Sequence, residues 1–306
     1  SAHIMTDAMH DDLVKALRQI SDDDRYVLGE LRKKGSAWIV GGWVRDSLMG
    51  MSAEDMDIAT TLKPEDIKSI FPRSIMVGAS FGTVIVRIGD EDNTSEWQVT
   101  TLRSEEDYLD GRRPEKVSFL EVGEDDKGII EDLSRRDFTI NSMAIGIDES
   151  LIDPYDGLND LSTGTLRTVG SADRRFNEDG LRVLRAFRFL DAGEAGVREM
   201  DEALERGIIR AEGFLSGVSR ERVGVEISKI FSGENVHEIA LKMASLGVFD
   251  QVFEDYDVDI PPQLSNNHLV NLALFFRNED ISAESLSDML RESLVPVSYT
   301  HLRAHE

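Results

Sequence analysis

The chain has 306 residues, 41% of them hydrophobic, which is enough apolar sequence to bury the cores of two or three compact units. No run of about 18 apolar residues is present, and the N-terminus lacks a basic stretch followed by an apolar one. The sequence therefore predicts neither a membrane span nor a signal peptide. The absence of cysteine excludes disulfide scaffolds, thiolate zinc sites and cysteine nucleophiles. We expect a cytoplasmic protein without membrane contact.

The formal net charge is −25, from 34 basic and 59 acidic residues. Proteins that bind RNA are more often basic, because phosphate contacts dominate their affinity. One interpretation is that an acidic surface serves solubility or salt tolerance, with basic residues concentrated only where they are needed. The other is that RNA is not the partner. Arginine outnumbers lysine 25 to 9, and several arginines lie between Arg167 and Arg188, which favours a local basic patch on an acidic body.

The N-terminal half of the chain predicts alternating strands and helices. Residues 1–5 look like cloning residues and are left out of the fold, and residues 11–31 predict one or two amphipathic helices. Further along, β-rich runs alternate with helical stretches such as 64–70. The predicted strands are 37–40, 83–88, 97–101 and 144–147.

The sequence pattern changes after residue 104. Residues 105–127 are charged and contain glycine, which predicts a mobile loop with a strand at 117–120. After about residue 160 the strand signals stop, and helical periodicity continues to residue 290. We expect residues 297–306, which break the acidic pattern, to be a non-native tail. The predicted helices are 179–190, 200–210, 220–231 and 236–246. The pattern is typical of an α/β domain followed by an all-helical region.

The clearest local signal is a glycine turn after a predicted buried strand. Gly41 and Gly42 follow residues 38–40, and a helix is expected to begin directly after them. Glycine lets backbone N–H groups approach a phosphate closely, and the N-terminus of a helix favours negative charge. Arg45, one turn into that helix, can reach an oxygen of a triphosphate. The turn therefore predicts a nucleotide-binding element.

Two aspartates separated by one residue come next. On a strand, the spacing of Asp55 and Asp57 would place both carboxylates on one face, about 7 Å apart at the backbone. Such a pair can hold two divalent ions roughly 4 Å apart for phosphoryl transfer, and Mg²⁺ suits these oxygen ligands. An isolated pair of this kind is usually a solvated loop feature, but the glycine turn and arginine ahead of it favour a catalytic, two-ion Mg²⁺ site.

These residues carry a resemblance to a known family. The stretch from Gly41 to Asp46, followed by Asp55 and Asp57, resembles the first motif of the class II tRNA nucleotidyltransferase and bacterial poly(A) polymerase family, in the DNA polymerase β-like superfamily. Four further motifs resemble the family's in order and spacing, so that the match covers roughly residues 35–255. They are residues 135–144, 153–161 with Arg167, 175–189, and 219–222 with Glu226.

The resemblance implies a fold and an activity. The expected fold is an α/β polymerase-β-like nucleotidyltransferase head with a small mixed or antiparallel sheet, followed by an all-α neck and body. We place the head at 6–150, the nucleotide-selecting neck at 151–215 and a truncated, tRNA-contacting body at 216–296. The implied reaction is template-independent addition of CMP and AMP to the tRNA 3′ end from CTP and ATP, with Mg²⁺ and with no protein partner implied.

The family's motifs also imply roles for individual residues. Gly42, Arg45 and Arg136 would hold the triphosphate, and Asp137 is a candidate for binding the ribose. Arg185 and Arg188 would line the nucleotide site. Helical geometry rotates each step of three residues by about −60°, so that at least one of these two arginines could instead contact tRNA phosphate or an internal acid.

Base selection can be argued from the residues themselves. If Asp179 and Arg182 lie three apart on one helix, they form a single polar edge. The carboxylate would accept from an exocyclic amino group and the guanidinium would donate to the adjacent ring nitrogen, a pattern that cytosine and adenine share. The alternative is an ordinary helical ion pair without function.

One position departs from the family pattern. A third carboxylate often stands directly before the segment that begins here at Val99, and this chain has Gln98 there. Glu96, two residues earlier and on the same face of a regular strand, could substitute as a metal ligand, or the two aspartates could act alone. Residues 108–114 resemble the loop that helps switch from cytosine to adenine addition, or are a charged surface loop.

Three other functions stay open. Poly(A) polymerases of the family carry a Gly-Arg-Arg-Phe-like element after the acidic pair, whereas residues 78–84 here are closer to the CCA-adding form. An enzyme that adds only CC or only A is the second open function. A non-catalytic RNA-binding protein on a degenerate nucleotidyltransferase scaffold would predict loss of the metal-binding acids, and both are present.

Overall fold

The computed structural model describes residues 5–77, 82–103 and 126–282. The chain divides into two compact units, Ser1–Thr163 and Gly164–Glu306. Within the described ranges, no helix combines the length and apolar character needed to cross a membrane. The predicted strand at 117–120, the loop at 108–114 and the tail at 297–306 lie outside the described residues. The subdivision of the helical region into neck and body stays a prediction.

The described strands of the first unit form one seven-stranded sheet in the order β3-β4-β5-β2-β1-β6-β7. Neighbouring strands are antiparallel except for β2 and β5, which are parallel. This arrangement confirms the predicted mixed sheet. The strands are β1 (Ala37–Val40), β2 (Asp57–Thr60), β3 (Ile75–Val77), β4 (Thr83–Asp90), β5 (Asn93–Thr101), β6 (Ala144–Ile145) and β7 (Leu151–Ile152).

Helices cover both faces of this sheet. Side chains of a strand alternate between the two faces, so Ile39 packs into one apolar cluster and Trp38 and Val40 into another. Burial on both sides explains why all four residues of β1 are apolar. The helices are α1 (Asp7–Leu17), α2 (Asp22–Arg32), α3 (Gly42–Leu48), α4 (Pro64–Ile70), α5 (Lys127–Ser134) and α6 (Gly157–Thr163), with a 3₁₀ turn at Thr139–Asn141.

Local sequence signals fix where these helices begin. Ser21 and Asp24 form a reciprocal capping box at the start of α2, and proline stands at the first position of α4. Asp24 also accepts a hydrogen bond from the Trp97 indole nitrogen at 2.9 Å. The cap therefore ties α2 to β5 and helps to hold the sheet under the first group of helices.

Between residues 164 and 282, the second unit is helical apart from two short parallel strands. Three aromatic side chains, Phe231, Phe249 and Phe275, pack in its core with ring centroids 4.9–6.1 Å apart. The helices are α7 (Ala172–Glu178), α8 (Leu181–Leu190), α9 (Glu202–Arg210), α10 (Arg220–Phe231), α11 (Val236–Ser245), α12 (Val248–Val252) and α13 (His268–Phe275). The strands are β8 (Thr165–Leu166) and β9 (Glu199–Met200).

Two sequence expectations for this unit are wrong. Strand structure does not stop after residue 160, because β8 and β9 pair across the fold, and a two-residue strand has no periodicity to detect. The helix predicted at 179–190 begins at Leu181. Asp179 has extended backbone angles (φ −155°, ψ 108°) and ends α7. Gly180 lies so close to Phe214 that a Cβ atom would come 1.6 Å from the Phe214 carbonyl oxygen, so tertiary contact decides this break.

Candidate functional site

Three predicted residues of the first unit meet at the end of β1. Gly41 has φ +74°, a conformation that glycine adopts without strain, and it directly precedes α3. A Cβ atom at this position would lie 3.6 Å from both Arg136 Nη1 and Asp57 Oδ2. Val40 pairs with Asp57 in the antiparallel β1–β2 ladder, which brings the glycine turn and the acid together. The fold thus places a glycine turn, a carboxylate and a guanidinium side by side.

The acidic pair sits where β2 begins. Asp57 is the first residue of the strand, whereas Asp55 lies just before it rather than on it. Met56 between them is buried at 2% exposure while both aspartates are exposed. Both carboxylates are therefore open to solvent on either side of a buried residue, and their placement on one face stays a prediction.

The surroundings of Asp57 raise the pKa of its carboxyl group. Although the residue is exposed, surrounding protein removes part of the carboxylate's hydration, and this desolvation raises the pKa of Asp57. The nearby negative charge of Asp55 raises the pKa further, while the guanidinium of Arg136 opposes the rise. The surroundings therefore disfavour the ionised form of Asp57, and a cation bound beside this carboxylate would offset that effect.

Glu96 does not join this pair. In the parallel β2–β5 ladder the residue opposite Asp57 is Gln98, and Glu96 lies two positions earlier. Its carboxylate accepts from Arg87 Nε at 2.7 Å across the β4–β5 ladder. Among the residues that the structure describes, no group of three or more acids and histidines could hold a metal ion together. In the structure the Glu96 carboxylate is paired with Arg87, and its role as a third metal ligand stays a prediction.

The two arginines predicted to bind a triphosphate are both anchored. Arg45 is 15% exposed and donates to Asn141 Oδ1 at 2.6 Å and to Asp46 at 3.0 Å, and it lies against Gly42. Arg136 donates through Nε and Nη2 to Asp132 Oδ2 at 3.2 and 3.0 Å. Fixed guanidinium groups lose little freedom on binding an anion, which favours tight recognition.

Asp137, the candidate for binding ribose, is 6% exposed, and its carboxylate accepts from the Phe138 backbone nitrogen at 2.8 Å. The side chain therefore helps to shape the turn that follows Arg136. Its contact with a sugar stays a prediction.

In the second unit, Asp179 and Arg182 do not form the single helical edge that their spacing suggested. Asp179 accepts from Arg222 Nη2 at 2.6 Å and Nη1 at 3.3 Å, whereas Arg182 donates to Glu178 at 2.6 Å. The physical reason is the break at Asp179, which lies outside α8, so the geometry of residues three apart on a helix does not apply.

The hydrogen bonds from Arg222 change the pKa of Asp179. Partial burial raises the pKa of Asp179, but hydrogen bonds from Arg222 and from the Leu181 backbone nitrogen outweigh it, and the net pKa is lowered. The carboxylate is therefore ionised throughout the neutral range and acts only as a hydrogen-bond acceptor.

Arg185 and Arg188 converge on one buried acid. Glu226 is 3% exposed, and its Oε1 lies 3.5 Å from Arg185 Nη1 and 3.3 Å from Arg188 Nη1. Both guanidinium groups also lie over the Phe189 ring, 5.1 and 4.9 Å from its centroid. Both arginines thus contact an internal acid, and their place in the nucleotide site stays a prediction. Burial lowers the pKa of Lys229, and the positive charge of Arg188 lowers it further.

The sequence did not predict the contacts that α10 makes with the candidate site. Arg222 and Glu226 belong to the last recognised motif, but no role followed from it. Their spacing of four residues places them on one face of a helix, and the structure turns that face toward α8 and Asp179. The four-residue spacing could have predicted that Arg222 and Glu226 share a helix face. The residues that they contact could not be predicted from it.

Comparison with known proteins agrees with this architecture. Residues 37–167 match the family described as "Poly A polymerase head domain", and residues 199–260 match "Probable RNA and SrmB- binding site of polymerase A". Residues 37–167 are therefore a poly A polymerase head domain, which has the polymerase-β-like nucleotidyltransferase fold.

Similar curated proteins are CCA-adding enzymes. The one from Staphylococcus aureus (strain Mu3 / ATCC 700698) is 37% identical over 246 residues, 79% of this chain and 58% of that protein. The one from Lactococcus lactis subsp. cremoris (strain MG1363) is 41% identical over 208 residues, 68% of this chain and 49% of that protein. The chain thus spans about half to three fifths of the length of the curated relatives that it matches.

Solved structures give the same picture of the fold. The Bacillus stearothermophilus CCA-adding enzyme in complex with CTP has a TM-score of 0.65 at 26% identity, covering 93% of this chain and 69% of that one. The Thermotoga maritima CCA-adding enzyme complexed with tRNA_CCA has a TM-score of 0.69 at 23% identity, covering 94% and 69%.

Proposed function

We propose that this chain catalyses template-independent addition of CMP and AMP to the 3′ end of tRNA, using CTP and ATP and releasing pyrophosphate. The observation that carries the proposal is the convergence of Gly41, Asp57 and Arg136, with Asp55 beside them. A carboxylate pair next to fixed cationic donors suits nucleotidyl transfer. The CCA-adding enzymes that resemble the chain at 37–41% identity support the same reaction.

The residues fit a divalent cation, and we propose Mg²⁺. Two carboxylates offer the hard oxygen ligands that Mg²⁺ prefers, and Asp57 lies beside Asp55, whose negative charge a bound cation would offset. Asp55 and Asp57 would hold the two-ion site. When bound there, Mg²⁺ supplies Lewis-acid stabilisation of the charge on the reacting phosphate.

The remaining groups of the first unit act on the triphosphate and sugar. The reaction forms a bond between the 3′-oxygen of tRNA and the α-phosphorus and breaks the bond to the bridging oxygen of the β-phosphate. The Gly41–Gly42 turn lets the chain approach the triphosphate, and Arg45 and Arg136 bind the charged oxygens of the leaving pyrophosphate. Asp137 would orient the ribose.

In the second unit we propose that Asp179 and Arg182 read the base. A carboxylate has about four acceptor positions, so Asp179 can keep its bonds to Arg222 and still accept from an exocyclic amino group. Cytosine and adenine carry that amino group, whereas uracil and guanine present a carbonyl oxygen at the equivalent position. Arg185 and Arg188, oriented by Glu226, would bind nucleotide or RNA phosphate.

Nucleotide incorporation tests the proposal. The chain, incubated with Mg²⁺ and tRNA lacking its 3′ CCA, should incorporate CMP and then AMP but not UMP or GMP. Asp55→Asn and Asp57→Asn should each abolish incorporation, whereas Glu96→Gln, which removes only the charge paired with Arg87, should retain it.

Other outcomes would favour a different member of the family or a different class. Growth of poly(A) on unrelated RNA with ATP alone would favour poly(A) polymerase, and addition that stops at CC or adds only A would favour a partial enzyme. Inactivity combined with nucleotide binding that Asp55→Ala leaves unchanged would favour a degenerate RNA-binding scaffold. A cytoplasmic location stays a prediction.

A further inference from the structure

The side chain of Asn141 occupies an unusual position beside the glycine turn. Asn141 ends the 3₁₀ turn at Thr139–Asn141 and is 7% exposed. Its oxygen Oδ1 accepts from Arg45 Nη1 at 2.6 Å. A guanidinium can only donate hydrogen bonds, so this contact fixes the orientation of the Asn141 side-chain amide. Its oxygen faces Arg45, and its nitrogen Nδ2 points away from that guanidinium.

The amide nitrogen of Asn141 is a buried donor. Nδ2 of Asn141 is buried and makes no hydrogen bond within the part of the chain that the structure describes. The polar neighbours on the same turn are satisfied, since Thr139 donates to Asp160 at 2.7 Å and Ser142 donates to the Phe138 carbonyl at 2.8 Å. Buried donors are almost always paired, and leaving one unpaired costs stability. The exception therefore needs an explanation specific to Asn141.

Location and charge indicate what would satisfy this donor. Arg45, which holds the amide, lies against Gly42, with Nη2 3.2 Å from the position of a Cβ atom there. The buried N–H and the guanidinium are thus donors at one place, next to the turn proposed to receive the triphosphate. Neighbouring N–H donors of this kind are complementary to an oxyanion, above all a phosphate.

We propose that Asn141 is a nucleotide-binding residue. Its Nδ2 donates a hydrogen bond to a phosphate oxygen of the incoming nucleoside triphosphate, and its Oδ1 holds Arg45 in position for the same group. The inference rests on the proposed function, since it takes the ligand to be a nucleoside triphosphate. Asn141 lies in the second motif that resembles the family's, but its residue type and spacing alone predicted no role for it.

Binding of CTP and CMP, measured by calorimetry with Mg²⁺ present, tests the direct contact. Asn141→Ala should weaken CTP binding about ten- to a hundredfold, the size expected for a hydrogen bond to a charged group, and should weaken CMP binding less. If Asn141 also contacts phosphate directly, Asn141→Ala should still weaken CTP binding in an Arg45→Ala background. If it acts only through Arg45, the double variant should bind CTP as Arg45→Ala does, which would overturn the direct contact.

Asn141→Asp is a second variant that keeps the test valid if Asn141→Ala does not fold. Aspartate keeps the acceptor for Arg45 but replaces the N–H donor by a carboxylate oxygen, so the fold should persist while the preference for CTP over CMP falls. Asn93→Ala, at the exposed start of β5, is the matched control and should leave both affinities unchanged. An unchanged CTP-to-CMP ratio in Asn141→Asp would refute the inference while leaving the proposed function intact. Failure of the unaltered chain to bind CTP would refute both.

Discussion

Removal of the Arg222 guanidinium is the most informative perturbation of the second unit. Arg222→Met keeps much of the side-chain length but eliminates the hydrogen bonds to Asp179 at 2.6 and 3.3 Å. Charge-assisted bonds in a paired geometry contribute more than a simple surface pair. The Arg222 side chain is 42% exposed and that of Asp179 30%, so solvent screening reduces the contribution to about 1 kcal/mol.

The pH dependence of this contribution has a definite sign. The pKa of Asp179 is lowered in the folded state, so its ionisation stabilises the protein fully above the ordinary carboxylate pKa of about 4. That stability is lost as the pH falls through the lowered value of the folded state. Arg222→Met should therefore reduce stability at neutral pH and make the acid limb of the stability curve less steep.

A double-mutant cycle measures the interaction directly. Urea unfolding of Arg222→Met, Asp179→Asn and the double variant should give a coupling free energy of about 1 kcal/mol at neutral pH. Arg210→Met with Asp173→Asn is the matched control, because that pair spans 3.1 Å but is 56% and 53% exposed and should show weaker coupling.

The same variant tests base selection. Because Arg222 orients the carboxylate proposed to read the base, Arg222→Met should lower discrimination of CTP against UTP by about tenfold. Coupling near zero at neutral pH, or coupling that does not change as Asp179 is protonated, would refute the assignment of the lowered pKa to Arg222. Unchanged discrimination of CTP against UTP, together with strong coupling between Arg222 and Asp179, would show that this ion pair serves stability alone.

Three further predictions follow from burial and packing. Glu226→Gln removes the buried charge between two arginines and should lower the free energy of unfolding by about 1–3 kcal/mol and weaken nucleotide binding, measured by urea titration and calorimetry. Gly180→Ala should destabilise by more than about 3 kcal/mol, seen as a large fall in Tm, because its Cβ would meet the Phe214 carbonyl. Gly29→Ala, in open space within α2, should instead raise stability by about 1 kcal/mol, and a loss there would contradict the packing described.

Local patterns in the sequence were sufficient for several elements. The strand at Ala37–Val40 and the helices Pro64–Ile70 and Arg220–Phe231 have the bounds that apolar runs, a first-turn proline and an N-capping serine predict. Glycine at position 41 was likewise readable, because a tight turn between a buried strand and a helix needs the positive φ that the structure shows.

Tertiary structure alone decided which charged groups meet. The sequence presented Asp179 and Arg182 as partners, yet Arg222 binds Asp179, from 43 residues away along the chain. It offered Glu96 as a third acid, and only the β4–β5 register shows that the Glu96 carboxylate pairs with Arg87. Local patterns determine periodicity, caps and turns because those depend on neighbouring residues. Register and ion pairing between distant segments depend on how whole elements pack, and no short stretch of sequence contains that information.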